Sequence, residues 1–216
     1  MRLLSLPGVF QPHSDSWLLA DSLRHEHLDA DTALLDLCTG SGLLAVHAAR
    51  RYRCRVTAAD LSRRAVASAR LNAALNGVRV RALRGDLFDP VGGEQFDVIV
   101  SNPPYVPNPS GQAGGRGVAR AWEAGFDGRA FLDRICAAAP SHLRRGGVLL
   151  LVQSAVCGID ATLKALTARS LRTSLVVRHS GPLGPLLQAR ADWLRGSGLL
   201  GADDLEEIVV IRAERA

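Results

Sequence analysis

The sequence is poor in aromatic residues and in lysine, and it has no long apolar run. Aromatic side chains make up 5% of its 216 residues, and Lys164 is the only lysine. No stretch approaches the ~18 consecutive apolar residues of a membrane-spanning helix. The first seven residues are too short for the core of a signal peptide. We therefore expect a soluble, cytoplasmic protein without a membrane segment.

Metal-binding cysteine motifs are also missing. The four cysteines, Cys38, Cys54, Cys136 and Cys157, include no CxxC pair, and no cluster of histidine and cysteine has the spacing of a zinc site. Reduced thiols in a reducing compartment are the expected state. The sequence predicts no metal centre.

The net charge is +5, from 26 basic and 21 acidic residues. A charge of this size permits binding to nucleic acid but does not indicate it, and the scarcity of aromatic residues argues against a base-stacking surface. With 47% hydrophobic and 22% charged residues, the composition is that of a globular protein. The length fits a single domain, 1–216.

Strand and helix patterns alternate along the chain, which is typical of βαβ units and a parallel sheet. Predicted strands are 33–37, 55–59, 78–83, 96–101, 148–153, 171–179 and 207–212. Predicted helices are 15–28, 43–51, 62–75, 128–139 and 159–169, with Pro140 ending the fourth. The predicted fold class is α/β, a doubly wound, mostly parallel, Rossmann-like sheet of seven strands. Ligands of such sheets bind at the carboxyl ends of the strands.

Three further segments complete the predicted organisation. Residues 1–30 form a helical lead-in, capped by Ser14 or Asp15. Residues 107–117 are rich in proline and glycine and predict a mobile loop. Residues 180–206 are a long insertion before the last strand, and their length predicts a short helix within it.

A glycine-rich turn, 36–42, follows the first predicted strand and reads DLCTGSG. Gly40 and Gly42 would allow a tight turn and a close approach of a ligand, and the helix that follows offers free N–H groups. Glycines needed only for packing are the alternative. The dinucleotide pattern GxGxxG has Ala45 at its third glycine position. Asp36 would repel a phosphate but suits a cationic ligand such as S-adenosylmethionine (SAM).

Two more acidic residues follow the next two strands. Asp60 ends the second strand, where a carboxylate can accept hydrogen bonds from both hydroxyls of a ribose. Asp86, after the third strand, can accept a hydrogen bond from an adenine amino group, with Leu87 against the ring. Each acid alone is more often a cap or turn residue. Acids at three successive strand ends favour a SAM site.

The tetrapeptide 102–105, Asn-Pro-Pro-Tyr, follows the fourth strand and is the strongest functional signal. Pro103 and Pro104 fix two φ angles and remove two N–H donors. The side-chain oxygen of Asn102 and the carbonyl of Pro103 form a pair of acceptors that suits a planar NH₂ group. Holding both N–H bonds can aim the nitrogen lone pair at a methyl group and stabilise the positive charge that develops. Tyr105 can stack on the substrate; a proline-rich turn is the alternative.

These motifs together resemble a known family. DLCTGSG, Asp60, GDLF and SNPPYV are similar to the class I SAM-dependent methyltransferases that modify planar amino nitrogens, and within them to the HemK branch of N5-glutamine methyltransferases. NPPY alone does not single out that branch, because adenine-N6, cytosine-N4 and guanine-N2 methyltransferases also contain it. The segment 121–129, AWEAGFDGR, resembles the A-[LW]-x-x-G-x-D/N-G pattern of the HemK branch. The segment 10–16, FQPHSDS, resembles the Y-x-P-x-x-D-[ST] pattern of its small members.

The resemblance covers about 10–153 and implies SAM as cofactor, with roles for residues of this chain. The implied cofactor-binding residues are Ser16, Asp36, Cys38, Gly40, Gly42, Asp60, Asp86, Leu87 and Asn102. The implied catalytic residues are Asn102, Pro103 and Tyr105, and the implied substrate-binding residues are Asp15, Asn102, Pro104 and Tyr105. On the residues alone, Asp15 is equally well a helix cap.

The resemblance also implies a substrate and a partner. The implied reaction is methylation of a glutamine amide in a protein, such as the GGQ motif of a release factor or a ribosomal protein. The chain is expected to lack the N-terminal helical domain of the bacterial enzymes. Its size resembles that of the small members, which work with a zinc-binding partner on the third strand. Here Arg79 and Arg81 would discourage strand pairing, so loss or change of that partner stays open.

Three other functions stay open from the sequence. A nucleic-acid amino methyltransferase, acting on adenine-N6 or guanine-N2, could use the arginines to bind phosphates. A small amide or amine could be the methyl acceptor. A cofactor-binding protein without activity is the third, and the intact NPPY tetrapeptide argues against it.

Overall fold

The computed structural model describes residues 1–114, 119 and 121–216. Its strands are β1 (Ala33–Leu37), β2 (Arg55–Asp60), β3 (Val80–Arg84), β4 (Phe96–Ser101), β5 (Leu143–Ser154), β6 (Leu171–Pro182) and β7 (Leu205–Arg215). They form one seven-stranded sheet in the order β3-β2-β1-β4-β5-β7-β6. In the part of the chain that the structure describes, β7 runs opposite to the other six strands: its pairs with β5 and β6 are antiparallel, and the other pairs are parallel. The predicted fold class is confirmed.

The helices lie on both faces of this sheet. They are α1 (Ser14–Ser22), α2 (Leu43–Arg51), α3 (Arg63–Leu75), α4 (Ala130–His142), α5 (Ile159–Thr167), α6 (Pro185–Gln188) and α7 (Ala191–Gly196). Within the described ranges, none of these helices combines the length and the apolar character that crossing a membrane requires.

Alternating side chains of the buried strands divide the core into two layers. On β4, Val98 and Val100 pack with α1 and α2, whereas Ile99 packs with α4 and α5. Successive side chains of a strand point to opposite faces, and a strand covered on both faces is apolar throughout. The doubly wound architecture follows from that pattern.

Two predicted helix boundaries were wrong. The α1 helix ends at Ser22, and a 3₁₀ turn, Leu23–His25, follows it, because the fully buried Leu23 extends the apolar face past the helix end. Pro140 does not end α4, which continues to His142. A proline near the last turn removes only one hydrogen bond of the helix, and the cap N–H of Leu143 still bonds to the carbonyl of Ala139.

The segment between the last two strands is shorter than predicted. The β6–β7 ladder extends through Ser180↔Glu207 to Pro182↔Leu205, so residues 183–204 connect the strands. Two short helices, α6 and α7, lie there rather than one. Their residues Leu187 and Leu194 are buried in the core layer of α4 and α5.

The loop after the NPPY tetrapeptide is described only in part. Its first residues are hydrogen-bonded to the segment 123–125: the N–H of Asn108 donates to the carbonyl of Gly125 (2.8 Å), and the N–H of Gly114 donates to that of Glu123 (2.8 Å). Residues 115–117 of the predicted mobile loop lie outside the described residues. Its mobility stays a prediction.

Candidate functional site

A cavity of about 760 Å³ lies at the carboxyl ends of β1, β2 and β4. All the predicted site residues line it except Asp36 and Gly42. The structure thus brings together the glycine-rich turn, two of the strand-end acids and the NPPY tetrapeptide. Parallel strands place their carboxyl ends at one edge of the sheet, which is why motifs far apart in sequence converge there.

Gly40 and Gly42 of the glycine-rich turn have different roles. Both have a left-handed backbone, with φ of 55° and 84°. A Cβ on Gly42 would lie 2.8 Å from the Cα of Ala69, so this glycine is needed for the packing of α2 against α3. A Cβ on Gly40 would meet only the carbonyl oxygen of Cys38, at 4.0 Å, and Gly40 lines the cavity. The packing alternative therefore describes Gly42, whereas Gly40 leaves room for a ligand.

Asp36 lies beneath the turn and is fully buried. The hydroxyl of Thr39 donates to its Oδ2 (2.6 Å), and the N–H of Ala45 donates to the same atom (3.0 Å). The second oxygen, Oδ1, is buried without a hydrogen-bond partner among the described residues. Burial raises the pKa of Asp36 to about 7. Asp36 therefore ties the turn to the first turn of α2 and keeps one acceptor unused.

Replacing Asp36 by asparagine is expected to flatten the pH dependence of stability. The pKa of this carboxyl group is about 7 in the folded protein, against an ordinary value of 3.8. The folded state therefore binds the proton more tightly, and the free energy of unfolding falls as pH rises from about 4 to about 7, by on the order of 2–4 kcal/mol. Asparagine does not titrate, so the stability of the variant does not fall over this pH range. Relative to the wild type, the variant is therefore more stable at about pH 8 than it is at about pH 4.

Urea unfolding at these two pH values measures the difference. Asp203, an exposed acid in the 183–204 connection, provides the matched control, because Asp203→Asn removes the same charge without a buried partner. Parallel pH profiles for Asp36→Asn and the wild type would contradict the prediction.

Asp60 and Asp86 occupy the cavity wall next to the turn. Asp60 accepts hydrogen bonds from the N–H of Gly40 (2.9 Å, to Oδ2) and the N–H of Ser62 (2.8 Å, to Oδ1), and burial raises its pKa. Each carboxylate oxygen can accept more than one hydrogen bond. Asp86 accepts from the guanidinium of Arg134 at 2.8 Å. Both acids therefore have fixed orientations, with acceptor capacity left for a ligand.

The NPPY tetrapeptide is held by the first turn of α1. The amide nitrogen of Asn102 donates to Asp15 Oδ2 (3.0 Å) and to Ser16 Oγ (2.9 Å), and the hydroxyl of Tyr105 donates to Asp15 Oδ2 (2.7 Å). The amide orientation follows from this network, because a carboxylate only accepts. Asn102 lines the cavity, and its side-chain hydrogen bonds among the described residues are both made by the nitrogen. Its oxygen is therefore left to accept a hydrogen bond from a ligand.

Asp15 is not the helix cap. The N-cap of α1 is His13, without a side-chain hydrogen bond, and Asp15 is buried within the first helical turn. Burial, followed by the charge of Asp15, raises the pKa of Tyr105 well above its ordinary value. Tyr105 therefore stays protonated at neutral pH and donates to Asp15 throughout.

Two charged residues near the site are not predicted by the sequence motifs. Glu206 is partly buried, lines the cavity and accepts a hydrogen bond from the N–H of Gly184 (3.2 Å); burial raises its pKa. Because β7 is antiparallel, its first residues, not its last, lie at the carboxyl edge of the sheet. Arg134, on α4, forms an ion pair with Asp86, and no sequence motif includes Arg134. Glu206 could have been found from the sequence only by applying the rule that ligands bind at one edge of the sheet to the first residues of the antiparallel strand.

The charge of the cavity lining limits its ligand. It contains Asp15, Asp60, Asp86 and Glu206, and no lysine or arginine among the described residues. A phosphate would be repelled by such a lining. A cationic nucleoside fits it, since carboxylates suit hydroxyl and amino donors, and the unpartnered Oδ1 of Asp36 lies below the turn. The residues present are thus compatible with SAM.

Comparisons with known proteins identify the family of the chain. The chain matches the family described as Methyltransferase small domain over residues 1–118. It is 32% identical over 192 residues to MJ0928 of Methanocaldococcus jannaschii, which is provisionally named a protein N5-glutamine methyltransferase. That alignment covers 88% of this chain and 95% of the relative. It is 36% identical over 151 residues to a release factor glutamine methyltransferase of Geobacter sulfurreducens.

The Geobacter alignment covers 67% of this chain but only 53% of the longer relative, so the chain spans about half of that protein. Among solved structures, the fold is similar to the E. cuniculi Mtq2–Trm112 complex, described as responsible for methylation of the termination factor eRF1. The TM-score is 0.67 at 24% identity, over 97% of this chain and 99% of that one. The chain belongs to the Methyltransferase small domain family, and within it to the HemK-type protein N5-glutamine methyltransferases.

Proposed function

We propose that this protein transfers a methyl group from SAM to the side-chain amide nitrogen of a glutamine in a protein, such as a release factor or a ribosomal protein. The observation that carries the proposal is the orientation of Asn102. Its NH₂ group is held by Asp15 and Ser16, which leaves its oxygen to accept from a substrate NH₂. The names of the relatives support a glutamine as the acceptor.

The chain's own groups would position the acceptor nitrogen. Because the Asn102 oxygen and the Pro103 carbonyl are not bases, the proton that the methylated nitrogen loses would pass to water. The Asn102 oxygen and the Pro103 carbonyl would each accept one N–H of the amide, and Tyr105 and Pro104 would border its planar face. An amide nitrogen is a weak nucleophile because its lone pair is delocalised. Fixing both N–H bonds supplies orientation, and the two oxygens stabilise the positive charge that grows on nitrogen.

The cofactor would occupy the other half of the cavity. SAM supplies an activated methyl group on a sulfonium centre. Cys38 and Gly40 would line its methionine end above Asp36, while Asp60 would accept from the ribose, and Asp86 and Leu87 would lie beside the adenine. Gly42 would contribute through the shape of the turn. Ser16 would lie between the two halves, since its hydroxyl accepts from Asn102.

Asp15→Asn is expected to lower kcat for methyl transfer about ten- to hundredfold, which corresponds to losing about 1.5–3 kcal/mol of charge-assisted hydrogen bonding. Asp15 acts as a positioning residue, because it holds both Asn102 and Tyr105 through one carboxylate oxygen. The affinity for SAM should change little. Steady-state kinetics with calorimetric SAM binding separate the two effects.

Asp21→Asn provides the control, because Asp21 is an exposed acid on the same helix. Equal losses of kcat in the two variants, or a loss confined to SAM affinity, would contradict a positioning role for Asp15.

A partner on β3 is a separate part of the proposal. The β3 strand pairs with β2 and lies at the sheet edge, so its outer side offers backbone groups for pairing. Arg81 on β3 is exposed and forms an ion pair with Glu94 at 2.6 Å. Because this edge is charged, an apolar partner strand would not suit it. Activity of the purified chain alone would show that no partner is needed. Activity only after adding cell extract would show that one is.

The proposed function is tested by methyl transfer from labelled SAM into a fractionated cell extract, divided between protease and nuclease digestion. We expect label that is lost to protease and absent with Asn102→Ala, and peptide mapping should locate it on a glutamine. Label lost to nuclease would replace this proposal by a nucleic-acid methyltransferase. Label in neither fraction would point to a small acceptor.

A further inference from the structure

A second cavity, of about 650 Å³, lies at the opposite end of the sheet, where β2 and β3 begin. Four arginines line it: Arg50, Arg53, Arg55 and Arg79. They come from the end of α2, the turn after it, the start of β2 and the residue before β3. All four are exposed. Four cations therefore converge on one surface of a chain whose net charge is only +5.

These arginines lack acidic partners. No ion pair of Arg50, Arg53, Arg55 or Arg79 occurs among the described residues. The undescribed residues, 115–118 and 120, include no acid. Among the described residues, the guanidinium of Arg55 donates to the backbone carbonyl of Asp31, at 2.6 Å, and to no side chain. Ten other arginines pair with Asp or Glu, and several described arginines elsewhere do not. The feature that distinguishes this surface is that four unpaired arginines line one cavity.

Strand register places like charges side by side. Val56 pairs with Val80 in the parallel β2–β3 ladder, so Arg55 and Arg79 precede the paired residues by one position on adjacent strands. Like charges next to each other across strands are unfavourable. An anion between them would remove that cost.

Structural roles explain only part of the cluster. Arg50 lies in the last turn of α2, where a cation favourably meets the negative end of the helix. Arg53 has a left-handed backbone, with φ of 64°, which is uncommon for a residue other than glycine, asparagine or aspartate. Neither helix capping nor an ion pair accounts for Arg53, Arg55 or Arg79.

We propose that this arginine patch (Arg50, Arg53, Arg55 and Arg79) binds the phosphate backbone of RNA. Guanidinium groups form two parallel hydrogen bonds to phosphate oxygens. No phenylalanine, tyrosine or tryptophan is among the described residues that line the cavity, so contact with bases by stacking is not expected. The exposed side chains, spread over three elements of the surface, suit an extended polyanion rather than an enclosed small anion. Backbone contacts of this kind read duplex shape and not sequence.

This binding would be separate from the methyl-transfer site. The proposed active site lies at the carboxyl ends of the strands and is lined by carboxylates, whereas the arginine patch lies at their amino ends. An RNA bound at the patch would attach the enzyme to an RNA-containing particle and leave the acceptor cavity accessible. The proposal does not depend on which acceptor is methylated.

The test is fluorescence anisotropy of the full chain with a labelled RNA duplex of about 16 base pairs. We expect the wild type to bind with Kd of about 1–100 μM near physiological salt. The double variant Arg53→Asn/Arg79→Gln should bind at least about tenfold more weakly, and the slope of log K against log salt should become shallower by about 2. Asparagine is chosen at position 53 because it tolerates a left-handed backbone.

The matched control is Arg63→Gln/Arg145→Gln, which removes the same charge from two exposed arginines outside the cavity. Like the arginines of the patch, neither forms an ion pair among the described residues. The control should change Kd less than about twofold, and circular dichroism establishes that both double variants are folded. Equal weakening in the two variants would overturn the proposal in favour of diffuse charge. Absence of wild-type binding would overturn it as well. Competition by a polyglutamate peptide as strong as that by unlabelled RNA would assign the patch to an acidic protein instead.

Discussion

Asn102→Ala is expected to lower kcat for methyl transfer about 10²- to 10³-fold, the range found when one preorganised transition-state hydrogen bond is removed. The alanine removes the open acceptor oxygen that would orient the substrate NH₂. It also leaves the Asp15 carboxylate without one of its two donors from the NPPY tetrapeptide. SAM affinity should stay within about threefold of the wild type, because most of the cofactor half of the cavity is built from other strand ends.

Single-turnover kinetics with a purified protein substrate and calorimetry with SAM measure the two quantities. Gln112→Ala is the matched control, because Gln112 is an exposed amide residue in the loop after NPPY, and its activity should match the wild type. A fall in kcat of less than about fivefold with intact SAM binding would contradict the proposed role of the Asn102 oxygen.

The sequence predicts the fold well because the buried strands are mostly apolar. FDVIVS at 96–101 is short and rich in β-branched residues, which favours a buried strand, and the structure gives β4 the same bounds. Boundaries at the surface were less predictable. Pro140 stays inside α4 because a proline near the last turn removes only one hydrogen bond of the helix. The β6–β7 ladder extends to Pro182 because pairing with β7 outweighs local propensity there.

The candidate site is predictable where chemistry follows a strand end along the chain. Asp60 and Asn102 lie where that rule puts them, on the cavity wall. The rule does not distinguish a lining residue from a supporting one: Asp36 is buried beneath the turn, with two donors on one oxygen. It also gives no information on contacts between distant segments. The bond of Asn102 to Asp15 spans 87 positions, and only the folded α1 creates it.

Gly128→Ala is expected to cost both stability and activity. Gly128 has φ of 75°, and a Cβ there would lie 2.4 Å from the carbonyl oxygen of Tyr105 and 2.8 Å from Cys157 Sγ. The thiol of Cys157 is buried and donates to that same carbonyl (3.0 Å). The backbone of Tyr105 must therefore shift. Overpacking and left-handed strain together should lower the free energy of unfolding by about 2–4 kcal/mol.

The activity loss should exceed what partial unfolding explains. A shift of about 1 Å in a positioning group can cost about a hundredfold in rate, and Tyr105 is bonded through Asp15 to the network that orients Asn102. At a temperature where the variant is fully folded, kcat should fall at least about tenfold. Urea unfolding and steady-state kinetics on the same preparation measure both effects.

Gly146→Ala separates the two causes of the expected loss. Gly146 has φ of 74°, nearly that of Gly128, but a Cβ there would meet no atom within 4 Å. Its substitution carries the backbone strain alone, about 1–2 kcal/mol, and Gly146 lies at the start of β5, away from the cavity. We expect Gly146→Ala to keep wild-type kcat. Equal losses of stability in the two variants would show that the backbone at Tyr105 can shift at no cost in free energy. The NPPY tetrapeptide would then not be held rigidly by its contacts with Gly128 and Cys157.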